Sequence, residues 1–266
     1  MPESEQRFGE FVAVRRHEQG HVAELVLDRP KAMNAVSTDM AVSIGAACAA
    51  LAADRDVRVT VLTSSNERAF CVGADLKERN SFSDADLVRQ RPTARGAYTG
   101  VLELPMPTAA AVHGFALGGG FELALSCDLI VADATAVVGL PEVSVGVIPG
   151  GGGTQLLPRR VGAARAAELV FTARKVEAAE ARELGLVDVL ADDARTEALA
   201  LAARIAVNSP VGLRNAKKAM RLGQGLDLRA GLEVEDAAWR ATAFSGDRAE
   251  GVAAFNAKRR PSWPGE

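Results

Sequence analysis

The chain has 266 residues, 48% of them apolar, and a formal net charge of −3 at pH 7. A chain of this length and composition can bury a large core, which excludes extensive disorder and favours one large domain or a domain with an appendage. The lack of a basic excess argues against nucleic-acid binding, because sequence-independent affinity for a polyphosphate backbone needs positive charge.

Cysteine usage and the absence of long apolar runs predict a cytoplasmic, soluble protein. Cys48, Cys71 and Cys127 form no CxxC pair and are odd in number, which favours a reducing compartment. The N-terminus carries neither an apolar signal-like run nor an Arg-rich transit pattern. Residues 104–121 carry no formal charge, but prolines and glycines interrupt them, so no membrane span is predicted.

The first local pattern is "HEQGH", His17 to His21, which has the spacing of a zinc-protease motif. That motif works only on a helix, where both histidines share one face. Here the flanking runs are short and β-branched, and Gly20 stands where a hairpin turn favours a positive φ. The pattern therefore predicts a β-hairpin with solvated turn histidines, and no metal site.

The following segments alternate between strand and helix patterns, which indicates a layered α/β core with a helical extension. Ser37 is a plausible N-cap for a helix ending near Ala53. Predicted strands are 57–63, 108–112 and short runs within 128–138; predicted helices are about 83–104, 121–126 and consecutive helices from about 154, broken at 209–210 and 245–246.

The densest chemical signal is "LGGGFELALSCD", in which Gly118 to Gly120 follow a buried strand and open a helix. Free backbone N–H groups and the positive end of a helix dipole meet at such a position, which predicts an anion or oxyanion site. No Gly-Lys-Ser/Thr follows and the spacing is not GxGxxG, which excludes the common nucleotide-binding loops. The alternative interpretation is close packing of helix against sheet.

Two carboxylates stand alone among apolar residues, Glu122 in "FELAL" and Glu142 in "GLPEV". Burial of an acidic side chain is costly unless it is partnered or functional. Two such carboxylates tend to have their pKa values pushed apart, so that one can act as an acid and the other as a base. Helix capping remains the alternative for each.

Two candidate nucleophiles are set aside. Cys71 in "AFCVGADLKE" has no base near it in sequence, and a small cysteine between Phe70 and Val72 is typical of packing. Ser144 lies in a sequence that misses the GxSxG nucleophile elbow, because Glu142 takes the place of the first glycine.

Together, "AFCVGADLKE", "VHGFALGGGFELALSCDLIVAD" and "GLPEVSVGVIPGGGGTQLLPR" resemble the signature segments of the enoyl-CoA hydratase/isomerase (crotonase) family, in order and spacing. The resemblance implies an α/β fold, a crotonase-like spiral of ββα units with a C-terminal helical trimerisation region. We expect the core and active site in residues 1–195 and the helical oligomerisation region in residues 196–266. It also implies an acyl-CoA thioester substrate, homotrimers or dimers of trimers, and no metal or redox cofactor.

By the same resemblance, the thioester oxygen accepts hydrogen bonds from the backbone N–H groups of Val72 and Gly119. Glu122 would hold and activate a water molecule, and Glu142 would deliver a proton to the α-carbon. The implied CoA-binding residues are Arg29, Lys31, Ala32, Ala74, Asp75 and Leu76, with Lys258 donated by a neighbouring subunit. Asp128 is interpreted as structural, and residues 81–98, which shape the acyl pocket in this family, do not reveal the acyl group.

Three hypotheses follow. The first is an enoyl-CoA hydratase, because both glutamates are kept beside the glycine-rich segment. The second is an isomerase or another specialised member of the family, which would share the oxyanion-binding segments. The third is a non-catalytic CoA-binding or RNA-binding scaffold, which the acidic charge balance and the intact carboxylates disfavour.

Overall fold

A computed structural model of the protein describes residues 2–266, in which strands and helices alternate before a run of helices. The strands are β1 (Ser4–Phe8), β2 (Val12–His17), β3 (Val22–Leu27), β4 (Val59–Ser64), β5 (Ala69–Cys71), β6 (Thr108–Val112), β7 (Phe115–Leu117), β8 (Leu129–Asp133), β9 (Val137–Gly139), β10 (Val176–Glu177) and β11 (Val189–Ala191). The helices are α1 (Thr38–Ala53), α2 (Leu76–Arg79), α3 (Asp84–Leu102), α4 (Gly119–Ser126), α5 (Gly153–Val161), α6 (Ala163–Thr172), α7 (Ala178–Glu183), α8 (Ala194–Ala206), α9 (Pro210–Gly223), α10 (Leu228–Ala243) and α11 (Gly246–Asn256).

Two sheets organise these elements. The larger has the order β1-β2-β3-β4-β6-β8-β11, and the smaller has the order β10-β9-β7-β5. Each repeat places one strand in the large sheet, the next in the small sheet, and then a helix, as in β4-β5-α3, β6-β7-α4 and β8-β9-α5. Strands β4, β6 and β8 pair in parallel, and so do β5, β7 and β9. The predicted spiral of ββα units is confirmed.

The predicted hairpin is confirmed as β2 and β3, which pair antiparallel with His17 opposite Val22. Gly20 has a φ of +87°, as its turn position requires. The prediction of solvated turn histidines is wrong for His17, whose Nε2 lies 2.9 Å from Oε2 of the fully buried Glu24. The sequence could not show this pairing, because Glu24 is held mainly by a distant residue, Arg195 on α8.

Helix α8 belongs to the core, which moves the predicted domain boundary. Its alanines recur every fourth position and are buried against apolar residues of the large sheet; they are Ala194, Ala198, Ala202 and Ala206. Small side chains at this spacing let a helix lie flat on a sheet. The helical extension therefore begins at α9, after the predicted break at Ser209–Pro210, and not at residue 196.

Asp128 joins the extension to the core, in agreement with its structural interpretation. Its carboxylate accepts hydrogen bonds from the backbone N–H of Thr108 at 2.8 Å and pairs with Lys217 Nζ at 2.8 Å and Arg221 Nη2 at 2.7 Å. Burial would raise the pKa of Asp128, but these two cations lower it.

Helix α10 leaves Leu228, Trp239 and their apolar neighbours exposed. Their predicted role in oligomerisation stays a prediction.

None of the helices within residues 2–266 combines the length and the apolar character that crossing a bilayer requires.

Candidate active site

The candidate site lies where three parallel strands of the small sheet end. Strands β5, β7 and β9 stop at Cys71, Leu117 and Gly139, and parallel strands bring their carboxyl ends to one edge. The segments that follow them carry the three motifs found in the sequence. Loops at this edge are where α/β sheets commonly bind ligands, since they leave the core together.

The glycine run allows α4 to approach β5 and α3 closely. An ideal Cβ on Gly120 would lie 1.9 Å from the carbonyl oxygen of Cys71, and one on Gly119 would lie 2.4 Å from Oη of Tyr98. No side chain fits at either position. The packing interpretation of the run is therefore correct, and it coexists with the anion-site interpretation, because α4 begins at Gly119 and its first N–H groups have no intrahelical acceptor.

The structure changes one of the two predicted N–H donors. The Val72 N–H donates to the carbonyl oxygen of Met33 at 3.2 Å, so it is not free for a ligand. Two residues on, the N–H of Ala74 donates to no group in residues 2–266, and the same holds for Gly119. Ala74 and Gly119 both line the cavity described below. The geometry thus replaces Val72 by Ala74 as the partner of Gly119.

Glu122 is almost completely buried, at 2% exposure, and its carboxylate caps another helix. Its Oε1 accepts hydrogen bonds from the N–H groups of Gly151 and Gly153, both at 2.7 Å, at the start of α5. Burial raises the pKa of Glu122, while these backbone donors oppose the increase. Glu122 therefore does cap a helix, as the alternative interpretation predicted. The capped helix is α5, whereas Glu122 itself belongs to α4.

Glu142 follows β9 in a short 3-10 turn, Glu142–Val145. Its Oε2 is buried and has no hydrogen-bond partner in residues 2–266. Burial raises the pKa of Glu142 to about 7, and the nearby negative charge of Glu122 contributes in the same direction. A carboxyl group in this condition can hold a proton near neutral pH and give it up.

A cavity of about 830 Å³ connects these groups. It is lined by both glutamates, by Ala74 and Gly119, and by an apolar wall that includes Val145 and Ile148. This volume lies within the range of cavities that bind small molecules. It places two free N–H donors and two carboxyl groups around one space.

The predicted CoA-binding residues separate into two groups. Ala74 and Leu76 line the cavity, whereas Arg29, Lys31, Ala32, Asp75 and Lys258 do not. Arg29 Nη1 donates to Asp75 Oδ2 and to the carbonyl oxygen of Ala35, each at 2.7 Å, so both residues hold the loops beside the cavity together. Lys31 and Lys258 are exposed. A binding role for the five residues outside the cavity stays a prediction.

Sequence reasoning missed Tyr98 and three arginines, all of which line the cavity. Tyr98 is buried, and its ring lies against Gly119 and Gly151. Arg91, Arg95 and Tyr98 recur at spacings of four and three, which puts them on one face of α3. That spacing was visible in the sequence, but nothing local indicated that this face looks into the site.

Cys71 is fully buried, and its Sγ donates to the carbonyl oxygen of Asn34 at 3.0 Å. Burial raises the pKa of its thiol to about 12. A thiol with this pKa is not a nucleophile at neutral pH, in agreement with the packing interpretation.

Comparison with known proteins agrees with the fold. Residues 17–266 match the family described as enoyl-CoA hydratase/isomerase. The chain is 42% identical to mouse "enoyl-CoA hydratase domain-containing protein 2, mitochondrial", covering 92% of this chain and 85% of that protein. It is 38% identical to human "methylglutaconyl-CoA hydratase, mitochondrial", covering 99% of this chain and 80% of that protein.

Among solved structures, the crystal structure of an enoyl-CoA hydratase from Bacillus anthracis superposes with a TM-score of 0.93 at 37% identity. The match covers 97% of this chain and 100% of that chain. The protein therefore belongs to the enoyl-CoA hydratase/isomerase family.

Proposed function

We propose that the protein is an enoyl-CoA hydratase, which adds water reversibly, in the syn sense, to a trans-2-enoyl-CoA and gives a 3-hydroxyacyl-CoA. The observation that carries the proposal is the pair Glu122 and Glu142 in one cavity, beside the unpaired N–H groups of Ala74 and Gly119. An isomerase needs to move one proton along the acyl chain, for which a single carboxyl group suffices. Addition of water needs one group that accepts a proton from water and one that gives a proton to C2, and two carboxyl groups can fill these two roles.

The two N–H groups would bind the thioester oxygen. Addition of water at C3 pushes the electrons of the double bond toward that oxygen, and fixed donors stabilise the negative charge that develops there. The loss of one such donor typically reduces the rate by ~10²–10³. Both donors are backbone groups, which explains why neither position needs a functional side chain.

The two glutamates would complete the reaction. Glu122, whose ionised form is stabilised by hydrogen bonds from the N–H groups of Gly151 and Gly153, would take a proton from water as the water oxygen bonds to C3. Glu142, whose pKa of about 7 lets it carry a proton, gives that proton to C2. The pair holds one proton before and after the reaction, on Glu142 at the start of hydration and on Glu122 at its end, and dehydration begins from the second arrangement.

Several further expectations belong to this proposal. The substrate is an acyl-CoA, and the chemistry described uses protein groups alone, with no metal or redox cofactor. The protein would act as a homotrimer or a dimer of trimers, with Lys258 of a neighbouring subunit reaching CoA. A reducing compartment such as the cytoplasm is supported by Cys48, Cys71 and Cys127, which are all free and buried.

The test follows the loss of conjugated enoyl-thioester absorbance with crotonyl-CoA, together with identification of the product. We expect rapid loss with the wild-type protein and a large decrease in Glu122→Gln and in Glu142→Gln. Glu183→Gln, at an exposed position on α7, is the matched control. Full activity in the Glu122→Gln/Glu142→Gln double variant would contradict the proposal, and double-bond migration without hydration would favour an isomerase.

A further inference from the structure

The cavity is lined by more basic than acidic side chains. Besides Glu122 and Glu142, three arginines line it, and these are Arg79, Arg91 and Arg95. Within residues 2–266, none of the three lies within ion-pair distance of a carboxylate. By contrast, Arg29 beside the cavity pairs with Asp75. The cavity is therefore lined by three guanidinium groups that form no direct ion pair.

Two of these arginines, Arg91 and Arg95, lie on one face of α3 together with Tyr98, and all three residues line the cavity. Arg91 donates to the carbonyl oxygen of Gly150 at 2.6 Å, beside the loop that holds Glu122, and its charge acts to lower the pKa of Glu122. Arg95 follows one helical turn later, about 5.4 Å along the axis. Tyr98 comes next on the same face and reaches Gly119.

Arg95 makes no side-chain hydrogen bond to any group in residues 2–266, whereas Arg91 is used to hold Gly150. In the proposed reaction the thioester oxygen binds at Ala74 and Gly119, and C2 and C3 lie between the two glutamates. Atoms beyond C3 would then continue into the rest of the cavity, which Gly150 and the exposed Arg95 of α3 also line. A purely hydrocarbon chain gains little from a guanidinium group there, while a carboxylate gains a charge-assisted, geometrically matched partner.

We propose that Arg95 binds a carboxylate at the far end of a short acyl group, so that the preferred substrate is the CoA monothioester of a dicarboxylic acid. This inference rests on the proposed function for the placement of the acyl chain. Arg79 and Arg91 strengthen the positive field around the same position. Arg95 acts in substrate selection and does not take part in the proton transfers.

The test measures binding of two saturated thioesters, glutaryl-CoA and hexanoyl-CoA, by titration calorimetry. The two differ chiefly in the terminal carboxylate. We expect wild-type protein to bind glutaryl-CoA at least about 10-fold more tightly, and we expect Arg95→Leu to lower this preference by about 10–100-fold, as the loss of a charged hydrogen bond predicts. Arg89→Gln is the control, since Arg89 lies on α3 but pairs with Asp86 and does not line the cavity.

Equal binding of the two thioesters by wild-type protein would overturn the inference. So would an equal loss of affinity for both in Arg95→Leu, which would assign Arg95 to the phosphates of CoA. The same variants are then assayed for hydration of 4-carboxybut-2-enoyl-CoA and trans-2-hexenoyl-CoA. Absence of hydration with either, alongside retained preference for glutaryl-CoA, would contradict the proposed reaction and leave the carboxylate site standing.

Discussion

The carboxyl groups of Glu122 and Glu142 share one cavity but have opposite hydrogen-bonding environments. Glu122 Oε1 accepts two backbone hydrogen bonds of 2.7 Å, while Glu142 Oε2 is buried without a partner in residues 2–266. The two backbone donors favour the ionised form of Glu122 and oppose the effect of its burial, whereas burial and the charge of Glu122 favour the protonated form of Glu142. Two chemically identical groups therefore have different surroundings in one cavity.

This difference predicts the pH dependence of the reaction. Because burial raises the pKa of Glu142 to about 7, the active state with one proton on the pair is lost as pH rises through that value. We expect kcat/KM for hydration to fall about 10-fold per pH unit well above it. The dehydration reaction must show the same limb, because the equilibrium constant links the two directions. A kcat/KM that stays constant up to about pH 9 would contradict this assignment.

The same shift has a consequence for stability. The pKa of Glu142 is about 7 in the folded protein and 4.5 is its ordinary value. Protonated Glu142 therefore contributes to the free energy of unfolding in full below pH 4.5, and this contribution is lost as pH rises through about 7. Glu142→Gln removes this loss, so its stability relative to wild type should increase between about pH 5 and 8. We expect a change of at most about 2 kcal/mol, allowing for partial solvent screening of the half-buried side chain.

Thermal denaturation of wild type and Glu142→Gln over this pH range measures the effect. Each kcal/mol corresponds to about 2–4 °C in Tm for a domain of this size. Only the change of the difference with pH is diagnostic, because the amide itself alters stability equally at all pH values. A difference that does not vary with pH would show that Glu142 titrates normally.

We expect Gly151 to be essential for activity because of the space around it, since its backbone conformation is one that alanine can adopt. An ideal Cβ at this position would lie 2.8 Å from Glu122 Oε2 and 2.7 Å from the Tyr98 ring. Gly151→Ala should therefore displace Glu122, and a displacement of about 1 Å typically costs ~10²-fold in rate. Gly45→Ala on α1 is the control, because a Cβ there meets nothing within 4 Å. Near-normal kcat/KM in Gly151→Ala would show that the position of Glu122 is not critical.

The ion pair between Glu24 and Arg195 is expected to stabilise the packing of α8 on the large sheet. Glu24 is fully buried; burial would raise its pKa, but hydrogen bonds from Arg195 and His17 lower it. Arg195→Met leaves this carboxylate with only His17 and Thr63. Breaking a fully buried pair costs about 3–5 kcal/mol, and because 43% of the Arg195 side chain is exposed we expect a smaller loss here, of about 1–3 kcal/mol. Urea denaturation should show a lower midpoint.

The double variant Glu24→Leu/Arg195→Met should recover much of this loss, since no unpaired charge remains. Because the pKa of Glu24 is lowered, the contribution of the pair is present above its ordinary value of 4.5 and is lost as pH falls further. Equal denaturation midpoints for wild type and Arg195→Met at pH 7 would contradict the structural role.

Local sequence determined the elements and the identity of the two acids. Ser37 caps α1 as predicted, the turn at Gly20 joins β2 to β3, and Gly119 begins α4. Capping, turn formation and helix initiation depend on residues within a few positions, so their signals are readable in the chain. Glu122 and Glu142 were recognisable because an acidic residue in an apolar segment contradicts the local pattern.

Only the tertiary structure decided which groups these elements bring together. Val72 N–H is taken by Met33, which leaves Ala74 as the free donor, and Glu122 caps a helix about thirty residues away, at Gly151 and Gly153. Tyr98 and Arg95 enter the site because α3 packs with one face toward α4. The role of each of these groups depends on residues distant in sequence. Packing of the elements in the folded chain decides which residues these are.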